Sequence, residues 1–349
     1  MRLSAFAKIN RSLEIIGRRD DGYHLIRSMM QAIDLHDDLE VKIDVTRTSQ
    51  PVSTKPATSR PVSISVDMQS DHILAGSIEN TISSQEDNIA YKAADMYIKY
   101  IKPDLIGHID ICIHKRIPLA AGFGGGSSNA AAVLLALECI FRNEFDGEHE
   151  HTPIRKLLEL ATHLGADVPF CLSAAGKNNP EVNAIFETDE NARVFSTAAI
   201  CEGIGEVLTP IEAIRGSLII IDSQCDIPTG SIYSLYDEHT AAGGSNDRDS
   251  SDRDIDPPAN KTAPAGWRQN DLERIAALAS PETGHILTET KELAQNAAWV
   301  CITGSGPSIV CYYPEDMSEQ PAGHDFDIIS THYKNRADVR TVLISKLLA

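Results

Sequence analysis

The chain has 349 residues, 50 acidic against 31 basic, a formal net charge of −19 and a hydrophobic fraction of 42%. That length suggests two domains or one large one, and the composition supports a buried core while excluding collagen-like and wholly disordered chains. So acidic a balance argues against a nucleic-acid or anionic-membrane partner, both of which need a basic surface. It leaves room for a phosphorylated ligand, which needs only a nest of backbone N–H groups and one or two cations.

In chain order, residues 3–10 and 13–16 read as strand and residues 17–22 as a turn cluster. Residues 33–44 read as another strand. Residues 45–84 are rich in Ser, Thr, Pro and Gln, and only 62–66 alternate as a half-exposed strand would, so the rest reads as an elaborated surface loop. A helix is predicted over 88–100, with Ala90, Ala93, Ala94 and Tyr97 near one face, and a strictly alternating strand over 108–114. A glycine turn at 122–126 then leads through Ser127-Ser128-Asn129 into the apolar run 130–140, so the order is strand, glycine loop, helix. A further helix over 155–164 is stopped by Gly165.

Residues 217–222 read as a buried strand and 270–279 as a helix. Strands at 299–302 and 309–313 flank the turn Gly304-Ser305-Gly306-Pro307, and a last strand covers 339–344. Residues 239–265, full of Gly, Ser, Asn, Asp and Pro, read as a flexible insertion. The seven cysteines, at 112, 139, 171, 201, 225, 301 and 311, include no C-x-x-C pair. They read as small buried thiols of a reducing cytosol. No apolar run reaches about 18 residues and Met1 to Asn10 lack the apolar stretch of a signal peptide, so a cytoplasmic protein with no membrane partner is expected.

Four segments carry chemistry. The segment Lys115-Arg116-Ile117-Pro118-Leu119-Ala120-Ala121-Gly122-Phe123-Gly124-Gly125-Gly126-Ser127-Ser128 lacks the Gly-Lys-Ser/Thr of a Walker A loop. It also has Ser127 where G-x-G-x-x-G needs its third glycine. Its physics still suits phosphate: glycines allow close backbone approach, and the following helix presents its positive end. Asp167, in Leu164-Gly165-Ala166-Asp167-Val168-Pro169-Phe170, is a candidate general base, although a turn aspartate is the commoner case. Thr303-Gly304-Ser305-Gly306-Pro307-Ser308 reads as a hairpin turn or as part of a site. Lys8, in Ala7-Lys8-Ile9-Asn10, is either an edge-strand residue or a cation facing a site.

Together, the lysine strand, the Pro118-x-x-x-Gly122-x-Gly124-Gly125-Gly126-Ser127-Ser128 loop and the Gly304-Ser305-Gly306-Pro307 turn resemble the GHMP kinase superfamily. Asp21-Gly22-Tyr23-His24 with Gln31, the Asp167 segment, Glu202-Gly203-Ile204-Gly205-Glu206, Pro228-Thr229-Gly230 and Asn270-Asp271-Leu272-Glu273 narrow the resemblance. They are similar to the branch that phosphorylates the 2-hydroxyl of a cytidine-diphosphate-linked substrate on the non-mevalonate route to isoprenoid precursors. The order holds from residue 5 to about 313.

The resemblance implies an α+β, two-domain GHMP kinase fold. An ATP-binding domain like domain 2 of ribosomal protein S5 would cover residues 1–180, and a ferredoxin-like domain 181–349. It implies ATP and Mg²⁺, a small-molecule substrate, and a monomer or weak homodimer. By position, Asp167 would take the hydroxyl proton, and Lys8 would hold the hydroxyl and stabilise developing charge. Asn10, Tyr23, His24, Gly304, Ser305 and Gly306 would bind substrate, with Tyr23 and His24 on the cytosine. Pro118, Ala120, Ala121, Gly122, Phe123, Gly124, Gly125, Gly126, Ser127 and Ser128 would bind ATP. Ser127 or Ser128 would touch Mg²⁺ directly or through water, and Asn88 is a candidate for adenine. An aromatic is expected just before Glu202; Ile200 and Cys201 stand there instead, which gives up a stacking contribution of roughly 1 kcal/mol. Sibling kinases of homoserine or mevalonate type need no cytosine site, a non-catalytic sensor needs no base, and a Rossmann oxidoreductase needs the third glycine.

Overall fold

The computed structural model describes residues 1–47, 62–70, 85–144, 152–187, 193–225, 227–241, 270–315, 319–334 and 336–349. The fold is α+β and built on two sheets. The first contains β1 (Arg2–Arg18), β2 (His24–Arg47), β3 (Val62–Ser70), β4 (Leu105–Lys115), β5 (Ala198–Gly203) and β6 (Val207–Pro210). Its order is β3-β4-β2-β5-β6, with β1 paired antiparallel along its whole length to residues 24–40 of β2. Only β3 on β4 is parallel. The second sheet has the order β10-β7-β9-β8, all antiparallel, from β7 (Gly216–Ser223), β8 (Trp299–Ile302), β9 (Ile309–Pro314) and β10 (Val339–Lys346).

Helices α1 (Ile89–Ile101), α2 (Gly125–Glu144), α3 (Ile154–Leu164), α4 (Val168–Asn178) and α5 (Pro180–Phe186) cover the first sheet. The inward residues Ile109, Ile111 and Ile113 of β4 meet α2, whose run from Ala130 to Leu137 is fully buried. Helices α6 (Thr229–Ala241), α7 (Glu273–Ala279), α8 (Pro281–Leu293) and α9 (Glu319–Tyr333) pack around the second sheet. β7 is buried on both faces. Ile219 and Ile221 face the helices, while Leu218 and Ile220 face Ile9, Ile117 and Phe123 of the first unit. That is why 217–222 reads as a continuous apolar run rather than an alternating one. The same joining cluster ties β1 and the glycine loop to the second sheet.

Several boundaries differ from the sequence reading. β2 starts at His24 rather than at residue 33, because Ile26 to Gln31 pair with β1 on one side and β5 on the other despite a mixed polar pattern. α2 starts at Gly125, inside the predicted glycine turn, and α7 starts at Glu273, after the bridge of Asn270 to Leu13 and a turn at 271–272. Helices α4, α5, α6, α8 and α9 and strands β5 and β6 escaped the sequence reading. β5 and β6, which follow residue 180, belong to the first sheet, and Leu348 N returns to Ala32 O at 3.0 Å. Of the predicted insertions, 45–47 end β2, 62–70 form β3 and 239–241 end α6. The remainder of 45–84 and of 239–265 lies outside the described residues.

Candidate active site

The site begins on β1. Lys8 and Asn10 share one face of the strand and are 4% and 3% exposed. Lys8 Nζ donates to Asn10 Oδ1 at 2.8 Å and lies 3.1 Å from Asp167 Oδ2. Asn10 is held in turn: its Nδ2 donates to Ser28 Oγ at 2.8 Å, and its backbone N–H donates to Thr303 Oγ1 at 2.9 Å. Asp167 sits in the turn between α3 and α4, at the N-terminus of α4. It makes no side-chain capping bond, so its carboxylate stays with Lys8. The turn at 203–206 packs beneath: a side chain at Gly205 would come 2.9 Å from Ala166 O.

The glycine loop closes over the lysine. Lys8 N–H donates to Phe123 O at 3.0 Å. Gly124 has φ +69°, and a Cβ there would lie 3.1 Å from both Cγ and Cε of Lys8. Gly122 has φ +80° and would clash at 2.9 Å with Gly306 O, so the two glycine motifs, far apart in sequence, touch in space. Ala120 also holds a left-handed φ of 55°, a strained state for a residue with a Cβ. Ser128 N–H bonds Gly124 O at 2.8 Å to close the first turn of α2, so the N–H groups of Gly125, Gly126 and Ser127 have no intrahelical acceptor. They form the positive end of a 20-residue helix.

Under that helix end lies a buried polar cluster absent from the sequence reading. Lys115 Nζ contacts Asp37 Oδ2 and donates to Asn129 Oδ1 at 3.0 Å. Asn129 Nδ2 donates to Asp37 Oδ2 at 2.8 Å. Asp37 Oδ1 accepts from the N–H groups of Arg116 and Ile117 at 2.7 and 2.9 Å. A sequence signal existed: Lys115 ends an alternating strand, and Asn129 opens an apolar helix.

These parts line one cavity of about 810 Å³, in the range of small-ligand sites. Lys8, Asn10, Asp167 and Lys115 are among its lining residues. Pro118 and residues 119–127 also line it, as do Tyr23, His24, Gly304 and Ser305. Ser128 and Gly306 stand outside the lining. Ser128 Oγ donates to Phe6 O at 2.6 Å, in the core, and Gly306 sits behind the loop. Asn88 caps α1, its Oδ1 accepting from Ala90 N–H at 2.9 Å, while the next residue, Ile89, reaches the cavity. Asn270 pins the second glycine turn: its Nδ2 donates to Ile302 O and Gly304 O at 3.0 and 2.6 Å.

Ile200 is also outside the lining, paired with Met29 and Thr209 inside the sheet. The aromatic surface near His24 comes instead from α6, whose Thr229, Gly230, Tyr233, Ser234 and Asp237 line the cavity. Their spacing is that of one helix face, a signal the sequence carried after Pro228-Thr229-Gly230. Burial pushes the Tyr233 phenol up to about 12, and the Asp167 carboxylate adds to the shift. Burial likewise pushes the Cys171 thiol, behind Lys8, up to about 12.

Residues 88–175 match the family described as the GHMP kinases N terminal domain. The chain is 32% identical over 318 residues to the 4-diphosphocytidyl-2-C-methyl-D-erythritol kinase of Alkaliphilus metalliredigens, covering 90% of this chain and 88% of that protein. It is 29% identical over 325 residues to the protein of the same name from Clostridium acetobutylicum, covering 90% and 91%. A solved 4-(cytidine 5'-diphospho)-2C-methyl-D-erythritol kinase shares the fold with a TM-score of 0.61 at 24% identity, covering the whole of both chains. A homoserine kinase from Cytophaga hutchinsonii shares it at 0.56 and 12%, covering 100% of this chain and 95% of that one. The chain belongs to the GHMP kinases, ATP-dependent phosphotransferases acting on alcohol groups, and within them to the family of the 4-diphosphocytidyl-2-C-methyl-D-erythritol kinases.

Proposed function

We propose that this chain phosphorylates the 2-hydroxyl of 4-diphosphocytidyl-2-C-methyl-D-erythritol with ATP. The observation that carries the reading is the Lys8–Asp167 pair, 3.1 Å apart in a cavity whose lining also includes the start of α2 and Tyr23–His24. In this reading the phosphates of ATP lie along residues 118–127 and take hydrogen bonds from the free N–H groups of α2. The substrate hydroxyl lies between Lys8 and Asp167. Asp167 accepts its proton as the oxygen attacks the γ-phosphorus, and the bond to the ADP oxygen breaks in line. The Lys8 ammonium holds the hydroxyl and faces the charge that develops on the transferring group. Asn10 fixes the lysine, and the Gly304–Ser305 turn bounds the substrate side.

Mg²⁺ belongs to this reading as an ion that arrives on the triphosphate. Among the described residues there is no cluster of three His, Cys, Asp or Glu side chains that would hold it independently. Mg²⁺ is commonly held by phosphates, water and one or two protein oxygens. Ser127 and Asp167, both in the cavity lining, would supply protein oxygens to it; Ser128 Oγ is committed to Phe6 O. When bound, the ion neutralises phosphate charge. Of the membrane expectation, one fact bears on it: no described helix is long and apolar enough to cross a bilayer.

The test is ADP release from purified protein with Mg-ATP and the cytidyl substrate, with Asp167→Asn alongside. Turnover that falls by about 10²-fold or more in the variant, with ATP binding retained, is the expected result. Absence of turnover on this substrate, with turnover on homoserine or mevalonate, overturns the reading.

A further inference from the structure

Three side chains of α6 converge on one imidazole, and the reading above assigns none of them a task. Asp237 Oδ1 lies 2.8 Å from His24 Nε2, while its other oxygen lies 3.1 Å from Arg18 Nη1. The Tyr233 ring stacks on His24 at 4.9 Å between centroids with an interplanar angle of 23°, and Tyr236 meets the imidazole edge-on at 5.9 Å and 88°. Residues 233, 236 and 237 stand at i, i+3 and i+4, so one helix face supplies all three contacts. His24, Tyr233 and Asp237 all line the cavity.

An ionised carboxylate only accepts hydrogen bonds, so Nε2 of His24 must carry a proton. In the neutral ring, Nδ1 then holds the lone pair. Among the described residues, Nδ1 has no hydrogen-bond partner. A ring clamped on one face, one edge and one nitrogen has little freedom to turn over and exchange its two nitrogens.

We infer that Asp237 is a positioning residue for base recognition: it holds His24 as the Nε2–H tautomer, so that Nδ1 selects a pyrimidine presenting an amino group over one presenting a carbonyl. The inference rests on the proposed function, because it takes the cytidine end of the substrate to lie against His24. The exocyclic amine of cytosine donates to Nδ1, whereas the O4 of uracil would set two acceptors against each other. Arg18, on the second oxygen of Asp237, keeps the carboxylate from swinging away.

The test compares wild type, Asp237→Ala and Asp237→Asn on the cytidyl substrate and its uridyl counterpart at saturating ATP. Asp237→Ala is expected to raise the KM for the cytidyl substrate by about tenfold, with kcat and the KM for ATP within about twofold of wild type. In Asp237→Asn the amide oxygen goes to Arg18 and the NH₂ faces His24, which reverses the tautomer and narrows the cytidyl-over-uridyl preference. An unchanged KM in Asp237→Ala overturns the inference. So does a kcat that falls in step with an unchanged cytidyl-to-uridyl ratio, which marks a merely structural role. The KM for ATP and the melting temperature report folding, and should the alanine variant not fold, the base ratio of the asparagine variant decides alone. Wild type without turnover on the cytidyl substrate overturns the proposed function and this inference with it; wild-type turnover beside an unmoved variant overturns this inference alone.

Discussion

Lys8 is a buried ammonium whose side-chain partners, among the described residues, are one amide oxygen and one carboxylate, 31% exposed, on a different element. Its charge is therefore held for a ligand as much as for the fold. Lys8→Met, similar in length without the charge, is expected to lower kcat by about 10²–10³-fold while nucleotide still binds, as fluorescence titration with an ATP analogue would show. Gly124 is the residue that lets the loop lie on that side chain. Gly124→Ala places a Cβ in a left-handed backbone, 3.1 Å from two lysine carbons. It is expected to cost about 1–2 kcal/mol of stability and to displace Lys8, read as a lower melting temperature together with a lower kcat. The lysine, the aspartate and the glycines were legible in the sequence as residue types out of place: a cation in an apolar strand, and glycines ahead of a helix. Their pairing was not, because 159 positions separate Lys8 from Asp167.

At the scale of elements, the N-terminus of α2 is carried on a buried salt bridge. Lys115 and Asp37 are 2% and 0% exposed in their side chains, so the pair is desolvated and tied to the helix through Asn129. Removing one member leaves a buried charge without its counter-ion. Asp37→Ala is therefore expected to destabilise the protein by about 3–5 kcal/mol in urea unfolding. Asn270 does similar work for the second glycine turn. Asn270→Ala leaves the carbonyls of Ile302 and Gly304 without its amide and is expected to raise the substrate KM several-fold, measured by initial rates at fixed ATP. The sequence marked these elements by turn chemistry and periodicity. It marked α6 only faintly, by the helical spacing of its cavity-lining residues, because a helix in which Ile232 and Tyr236 are the buried residues has little amphipathic signature of its own.

Across the whole molecule, the nucleotide loop depends on contacts from the far end of the chain. Arg340 on β10 donates to Leu119 O at 2.9 Å and lies 3.4 Å from the fully buried Asp222 on β7. Burial also sets an alkaline limit. It pushes the Cys139 and Cys171 thiols up to about 12, from ordinary values near 9. A raised folded value means that the unfolded chain releases its proton first. The stability from each buried thiol is complete below about pH 9 and is lost as pH rises toward 12, by about 1.4 kcal/mol per pH unit for each group. Denaturant midpoints taken from pH 8 to 11 should fall accordingly, and replacing either cysteine by alanine should flatten the decline.

The sequence by itself determined the chemistry available: a glycine loop at a helix start, a lysine strand, an aspartate in a turn and a second glycine turn, each readable because its conformation is dictated by neighbours a few positions away. It also determined most strands of the two sheets, whose alternation or continuous apolarity reflects how many faces are buried. Only the tertiary structure decided which of these meet. β5 and β6 join the first sheet, Gly122 lies against Gly306, and the clamp on His24 comes from α6 rather than from position 200. Those contacts depend on packing between elements distant along the chain. No local pattern encodes such packing, because the energy that fixes it belongs to both partners at once.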